Sequence, residues 1–250
     1  MGYSLSGRII LVTGAANRIG KAIAIAAANE GATIALHYNH SAEQAVITAK
    51  EIEQLGSQVA CFQANIANLE DVQKMHKAIQ EQLGPVFGVI NNAGYGQMKP
   101  FFDYEPNEWK QEIDVCLNGV LNLAYTFVPS MKEQEEGKFI TIVGDSARTG
   151  DRKLIVSAAA RNGVISFMKS LAQEVGRQQI QCNTVSLGLI DQDDLQMGED
   201  MYRKIVKGYS LQRLGKPEDI TGMMKFLLSD QSDWITGQVF SINGGHSMLG

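Results

Sequence analysis

Short apolar runs rich in β-branched residues alternate with longer helical segments along almost the whole chain, and this alternation constrains the fold most strongly. The first strand is predicted over residues 8–13, and an alanine-rich helix follows over residues 19–30, where Gly31 ends it. The strands are apolar throughout and each precedes a helix. Such strands predict a parallel sheet that helices cover on both faces.

The same pattern continues close to the end of the chain. Further strands are predicted over residues 33–37, 58–62, 86–91, 138–143, 180–185 and 238–242, and further helices over residues 42–55, 69–83, 107–131, 154–175 and 218–229. Residues 191–207 are polar and weakly periodic, so we expect a mobile excursion there. Since no linker, repeat or low-complexity tract interrupts the pattern, we predict a single doubly wound α/β domain of about seven strands over residues 1–250.

The composition is that of a folded, soluble protein, with 44% hydrophobic and 20% charged residues. The net charge of −5 opposes binding to nucleic acid or to anionic membranes. Cys61, Cys116 and Cys182 form no CxxC motif, and the histidines show no ligand spacing, so we expect neither disulfides nor a metal site. Without a signal-peptide pattern or a long apolar run, the chain is predicted to be cytoplasmic.

A glycine-containing turn follows the first strand directly. Gly14 permits a sharp exit from the strand, and Gly20 allows the helix to pack closely on the sheet. The intervening Asn17, Arg18 and Ile19 lie where the amino terminus of the helix offers free N–H groups and a partial positive charge. The turn is therefore predicted to bind the pyrophosphate of a dinucleotide.

The end of the second strand bears on which dinucleotide is bound. A carboxylate at this place would bind a ribose 2′-hydroxyl and repel a 2′-phosphate. The chain instead has His37, Asn39 and Ser41 with no acid among them, and Arg18 adds a cation from the neighbouring turn. This pattern favours NADP(H), and NAD(H) remains the alternative.

These residues resemble those of the short-chain dehydrogenase/reductases of about 250 residues, over essentially the whole chain. The matching segments are the turn at residues 13–20, the Asn91-Asn92-Ala93-Gly94 sequence, and a tail at residues 213–220 and 235–245 similar to that of 3-oxoacyl thioester reductases. The resemblance implies a Rossmann-like fold and an oligomer, usually a tetramer. It also implies that Asn92, Ala93 and Gly94 contact the cofactor.

Two further details follow from the resemblance. Asn65 and Ile66 match the pair that holds adenine, although Asn65 replaces the family's usual aspartate. Arg18 stands where the turn of the family has its middle glycine. Together with His37, Tyr38 and Ser41, this substitution resembles the pteridine reductases, which prefer NADPH.

The catalytic residues that the family uses are an asparagine, a serine, a tyrosine and a lysine. Aligned without gaps through the neighbouring segments, these positions hold Cys116, Gly144, Ser157 and Arg161. All four identities are therefore changed, although Arg161 could still bind the ribose of the cofactor. Two neighbouring positions also depart from the family, with Leu187 in place of a proline and Gln192 in place of a threonine.

Three functions are compatible with this pattern. We favour an inactive or impaired subunit that assembles with an active paralogue. The second is an active oxidoreductase on a 3-oxoacyl thioester, a ketone or a pterin that uses Ser146 and Tyr95 as substitute residues. The third is a binding module that senses NADP(H) without turning it over.

Overall fold

In the computed structural model, which describes residues 3–191 and 197–249, seven parallel strands form one sheet in the order β3-β2-β1-β4-β5-β6-β7. The strands are β1 Ile9–Val12, β2 Thr33–Tyr38, β3 Val59–Gln63, β4 Gly88–Asn91, β5 Gly137–Gly144, β6 Ile180–Leu187 and β7 Val239–Ile242. The prediction of a doubly wound parallel sheet is confirmed. Because every strand runs the same way, all the carboxyl ends lie along one edge.

Helices cover both faces of this sheet. They are α1 Arg18–Asn29, α2 Ala42–Gln54, α3 Leu69–Gln82, α4 Pro106–Ile113, α5 Gly119–Gln134, α6 Ser146–Thr149, α7 Ile155–Val175, α8 Glu199–Val206 and α9 Pro217–Leu228. The side chains of β1 alternate between two cores: Ile10 and Val12 pack with the α1 and α9 face, and Leu11 packs with the α3, α5 and α7 face. The period of two along an apolar strand therefore produces the two layers.

Two predicted elements differ from the structure. The helix expected over residues 107–131 is interrupted by a π-helical turn at Asp114–Asn118, which separates α4 from α5. Gly119 follows this turn, and a Cβ atom there would lie 2.8 Å from Cδ1 of Ile66, so the helix approaches the β3 connection very closely. The excursion expected over residues 191–207 is helical at α8, and its residues 192–196 lie outside the described part of the chain.

The order of the strands determines where a ligand-binding crevice opens. β1 lies between β2 and β4, so the connections that leave β1 and β4 run to opposite sides and open a crevice at their carboxyl ends. Within the described ranges, no helix is long and apolar enough to cross a membrane. In the same ranges, no group of three or more histidine, cysteine, aspartate or glutamate side chains could hold a metal ion.

Candidate functional site

A cleft of about 550 Å³ opens at the crevice between β1, β2 and β4. Every residue that the sequence predicts to bind the cofactor lines it. These are Gly14, Asn17, Arg18, Ile19, Gly20, His37, Asn39, Ser41, Asn65, Ile66, Asn92, Ala93, Gly94 and Arg161. Four other lining residues were not predicted to bind the cofactor: His40, Gln111, Val115 and Tyr95, which was predicted instead as a substitute catalytic residue.

The turn between β1 and α1 is held against the end of β4. The side-chain amide of Asn92 donates to the carbonyl oxygens of Thr13 and Gly14, at 3.0 and 3.2 Å. The Thr13 hydroxyl donates to Oδ1 of Asn91 at 2.9 Å and accepts from the backbone N–H of Ala93 at 3.0 Å. Gly20 packs so closely that a Cβ atom would lie 2.2 Å from the carbonyl oxygen of Gly14. The turn is therefore a rigid cradle that only a glycine at residue 20 permits.

Arg18 begins α1 with a φ of 54°, in the left-handed region. The backbone conformation that the family's glycine would suit is thus retained although the residue has changed. A left-handed conformation costs a residue with a side chain roughly 1–2 kcal/mol. Arg18 lines the cleft. The strained backbone therefore carries a cationic side chain beside the turn that is predicted to bind phosphate.

His37 is 1% exposed at the end of β2, and both nitrogens of its ring are used inside the protein. Nδ1 accepts from the backbone N–H of Gly14 at 3.1 Å, and Nε2 donates to the carbonyl oxygen of Ala64 at 3.0 Å. Burial lowers the pKa of His37 to about 4. His37 is therefore neutral at pH 7, and it supports the turn without offering a charge to a phosphate. The other polar residues of this strand end are His40, which is exposed, and Asn39 and Ser41, which are partly buried.

The four residues that the sequence aligns with the family's catalytic positions lie near this cleft. Cys116 lies in the π-helical turn, Gly144 ends β5, and Ser157 and Arg161 lie one turn apart on α7. The Cys116 thiol contacts the carbonyl oxygen of Tyr95, with Sγ and O 2.8 Å apart, and the Arg161 guanidinium contacts the same oxygen at 3.5 Å. Cys116 and Arg161 thus meet at one backbone carbonyl.

A loop after β4 covers Ser157, the residue that the sequence aligns with the family's tyrosine. Ser157 is 0% exposed, and a Cβ atom on Gly96 would lie 3.3 Å from both Cβ and Oγ of Ser157. The Ser157 hydroxyl donates to the carbonyl oxygen of Leu154 at 3.3 Å, within its own helix. The loop at Gly96 therefore packs directly against Ser157.

A buried carboxylate holds this loop in place. Oε1 of Glu112, which is one turn before Cys116, accepts from the backbone N–H of Gln97 at 2.9 Å and from the Tyr104 hydroxyl at 2.7 Å. Burial, followed by the hydrogen bond to Glu112, raises the pKa of Tyr104 well above its ordinary value. Sequence reasoning missed Glu112 because a single acid on an amphipathic helix is usually solvated, and only its 0% exposure identifies it.

A second cavity of about 300 Å³ lies beyond the loop, at the carboxyl ends of β5 and β6. Gly144, Ser146, Cys116 and Arg161 line it, and Leu187 forms part of its wall. We call it the chamber. The Ser146 hydroxyl oxygen lies 3.4 Å from where a Cβ atom of residue 144 would be.

Two further residues singled out in the sequence are Tyr95, a predicted substitute residue, and Gln192, a departure from the family pattern. Among the described residues, Tyr95 lines the cleft and is absent from the lining of the chamber. Gln192 lies outside the described part of the chain.

Comparison with known proteins agrees with this architecture. Residues 14–247 match the model of the family described as Enoyl-(Acyl carrier protein) reductase. The chain is 34% identical to a 3-oxoacyl-(acyl-carrier-protein) reductase of Staphylococcus epidermidis over 242 residues, covering 95% of this chain and 98% of that protein.

Solved structures superpose over nearly the whole chain. A short-chain type dehydrogenase/reductase from Mycobacterium marinum has a TM-score of 0.90 at 27% identity, covering 99% of this chain and 98% of that one. A gluconate 5-dehydrogenase from Burkholderia cenocepacia J2315, in complex with NADP and tartrate, has a TM-score of 0.92 at 25% identity, covering 98% and 96%. The family match and the shared identity together show that the chain belongs to the short-chain dehydrogenase/reductase family.

Proposed function

We propose that residues 1–250 form one NADP(H)-binding domain that lacks the family's usual carbonyl reduction and acts as an oligomer subunit beside an active family member. The observation that carries the proposal is a contrast within one site. The cleft keeps a complete phosphate cradle, whereas the neighbouring tyrosine position is a buried serine under a loop.

The cleft fits a dinucleotide phosphate residue by residue. The close approach of Gly20 to Gly14 leaves the N–H groups at the start of α1 open to a pyrophosphate. Arg18 and Ser41 would hold a 2′-phosphate, Asn65 and Ile66 would hold the adenine, and Arg161 would hold the second ribose. The related gluconate 5-dehydrogenase is in complex with NADP, which supports the same cofactor here. Such a cofactor supplies a hydride when it is bound.

The residues beside the reacting position support impaired chemistry. A serine hydroxyl is a far weaker acid than a phenol, and an arginine stays protonated, so Ser157 and Arg161 do not reproduce the tyrosine–lysine pair. General acid catalysis contributes about 10²–10⁴ in rate. Cys116 replaces the asparagine, and its thiol is directed to the carbonyl of Tyr95. The carbonyl of a substrate would thus lack its usual proton donor.

Cofactor preference is tested by thermal unfolding. At a concentration of NADPH about 100 times its Kd, a linkage stabilisation of about 2.7 kcal/mol is expected, which raises Tm by roughly 5–10 °C. NADH at the same concentration should give a much smaller shift. An Asn39→Asp variant places a carboxylate at the end of β2 and should weaken NADPH binding roughly tenfold or more, while NADH binding is retained or improved.

The matched control for this test is Asn29→Asp, an exposed residue at the end of α1 outside the cleft. Equal shifts with NADPH and NADH, or equal losses in the two variants, would contradict the proposed preference.

The surface for a neighbouring subunit is proposed on α5 and α7. An apolar groove of about 740 Å³ lies between these helices and is lined by Leu121, Tyr125, Val128, Phe167 and Leu171. Tyr125 is 69% exposed, although it belongs to this apolar face. Large exposed apolar surfaces of this kind mark protein–protein contacts.

Catalytic impairment and assembly are tested together. The purified chain should oxidise NADPH with a 3-oxoacyl thioester at least about 10²-fold more slowly than an active 3-oxoacyl reductase of the family under identical conditions. Native mass spectrometry of the coexpressed pair should show mixed oligomers, and Tyr125→Glu should dissociate them without changing NADPH binding. A rate comparable to that of the active relative would refute the impaired subunit.

One observation favours the second function, an active oxidoreductase with a substitute hydroxyl. Ser146 lines the chamber, and its Oγ lies close to the place where a side chain at residue 144 would begin. Ser146→Ala separates the two functions, because it should abolish any measurable turnover if Ser146 has taken over the role of the serine. If the wild type and Ser146→Ala both bind NADPH and neither turns it over, the result would also agree with a module that senses NADP(H).

A further inference from the structure

We propose that residues 95–100 form a lid over Ser157, which Glu112 clamps shut and which opens while the sheet stays folded. The proposal goes beyond the function proposed above, because it concerns the free chain and requires no bound nucleotide. The structure describes every residue of this segment, and none of them belongs to a helix or a strand. The lid is therefore held by individual contacts, without the ladder of hydrogen bonds that fixes a regular element.

A buried pair of side chains grips the backbone of one lid residue. Oε1 of Glu112 accepts from the Gln97 N–H at 2.9 Å, and the Tyr104 hydroxyl lies 2.9 Å from the carbonyl oxygen of Gln97. The Tyr104 hydroxyl and Oε1 of Glu112 are themselves 2.7 Å apart. Both main-chain polar groups of Gln97 are thus held by one cluster, and Glu112 and Tyr104 together form the clamp.

The clamp is incomplete. Glu112 is 0% exposed, yet its Oε2 has no hydrogen-bond partner, and within the described ranges no basic side chain pairs with the carboxylate. The Tyr104 hydroxyl has a single proton for two neighbouring acceptors. Burying a carboxylate without a cation or a full set of donors costs free energy, which offsets part of the hydrogen bonding that closes the lid. The closed state is therefore only modestly favoured over an open state in which Glu112 reaches water.

The outer side of the lid adds little packing to hold it. Met98 is 74% exposed, and Tyr95, Gly96 and Pro100 are exposed as well. The segment that follows is attached more firmly, since Tyr104 is buried. Segments with few buried apolar contacts open locally at a lower free energy than the core. The lid can thus move while its carboxyl-terminal attachment stays in place.

The lid covers two buried side chains. A Cβ atom on Gly96 would lie 3.3 Å from Oγ of Ser157, which is 0% exposed. The carbonyl oxygen of Tyr95 lies 2.8 Å from Sγ of Cys116, which is 4% exposed. Opening of the lid would uncover both residues at the same time. The reactivity of the Cys116 thiol therefore reports the position of the lid.

The three cysteines provide a test in the unmodified, cofactor-free protein, with fluorescein maleimide as the probe and mass spectrometry of the peptides as the readout. Cys61 is exposed and should react first, whereas Cys182 is 0% exposed in β6 and should react only on global unfolding. Cys116 should react at least about tenfold faster than Cys182 and at least about tenfold more slowly than Cys61. Equal rates for Cys116 and Cys182 would show that the lid opens only when the whole protein unfolds, and would overturn the proposal.

Variants of the clamp should release the lid. Glu112→Ala is expected to raise the rate at Cys116 at least about tenfold and to leave Cys182 as slow as in the wild type. Tyr104→Phe keeps the bond between Glu112 and the Gln97 N–H, so a smaller rise, of roughly threefold, is expected. Asn107→Ala, at an exposed residue of the same helix, is the matched control and should change neither rate.

The two clamp variants give the proposal two chances to fail. An unchanged Cys116 rate in both would overturn it, because the probe would then reach the thiol by a path that Glu112 does not control. If Glu112→Ala unfolds, the rate at Cys182 rises with that at Cys116, and Tyr104→Phe alone decides the outcome.

Hydrogen exchange followed by NMR tests whether the lid moves as a unit. The Gln97 N–H is bonded to Glu112, whereas the Lys99 N–H donates to the carbonyl oxygen of Lys153 at 3.0 Å, away from the clamp. Glu112→Ala should raise the exchange rates of both amides at least about tenfold and leave the amide of Val89 in β4 unchanged. Faster exchange at Gln97 alone would reduce Glu112 to the acceptor of one local hydrogen bond and would refute the lid.

Discussion

Gly20→Ala is expected to abolish the stabilisation by NADPH and to destabilise the unliganded protein by about 1–3 kcal/mol or more. The added Cβ atom would lie 2.2 Å from the carbonyl oxygen of Gly14 and 2.7 Å from Nδ2 of Asn92. The first of these neighbours is backbone, which cannot rotate away. Helix α1 must therefore move away from the turn, and the N–H groups that face the pyrophosphate move with it.

Helix propensity alone predicts that Gly20→Ala would stabilise the protein. Gly20 lies inside α1, where alanine is normally about 0.5–1 kcal/mol more favourable than glycine. Gly222→Ala is the matched control, because Gly222 lies inside α9 with no atom within 4 Å of its added Cβ. We expect that control to be neutral or stabilising and to bind NADPH normally. An unchanged NADPH-induced rise in Tm in Gly20→Ala would show that the cradle is not the binding site.

The second large effect is a loss of stability on acidification through His37. The folded-state pKa is lowered from its ordinary 6.5 to about 4 by burial, so the folded protein holds the neutral ring while the unfolded chain binds a proton below pH 6.5. The contribution of His37 is fully present above pH 6.5 and is lost as the pH falls toward 4. A shift of this size corresponds to about 2–3 kcal/mol in the free energy of unfolding at pH 4.5.

Urea unfolding of the wild type and of His37→Gln, each at pH 7.5 and pH 4.5, measures this contribution as the difference between the two losses in the free energy of unfolding. His37→Gln keeps an acceptor for Gly14 and a donor for Ala64 without a titrating ring, so its stability should fall less on acidification than that of the wild type. His40→Gln controls for an exposed histidine. Carboxylates such as Asp219, whose pKa the neighbouring Arg213 lowers to about 2, also weaken in acid, which is why the comparison uses variants. Parallel losses in wild type and His37→Gln would exclude His37.

The architecture was predictable because apolar periodicity and turn residues determine it. β1, its glycine turn and α1 follow directly from a buried strand, Gly14 and an alanine-rich helix. The cleft residues were also predictable, since they follow strand ends that a parallel sheet brings to one edge.

Other features depend on tertiary contacts that a local pattern does not encode. The π-helical turn at Asp114–Asn118 continues the apolar periodicity of its flanking helices. Because it contains no glycine or proline, the sequence predicts one uninterrupted helix there. His37 is predicted from the sequence to bind the cofactor, and its neutral, structural role appears only when Gly14 and Ala64 approach its ring. Glu112 became interpretable only through its burial beneath the loop that contains Gln97.

The packing of Gly96 on Ser157 couples the loop after β4 to the size of residue 157. A tyrosine introduced at residue 157 would meet this loop, so the substitution is expected to destabilise the fold. The loop is held by Glu112 and Cys116, and it would have to be released from both to make room. Residue 157 and the loop are therefore epistatic: a larger side chain at residue 157 requires a simultaneous change in the loop.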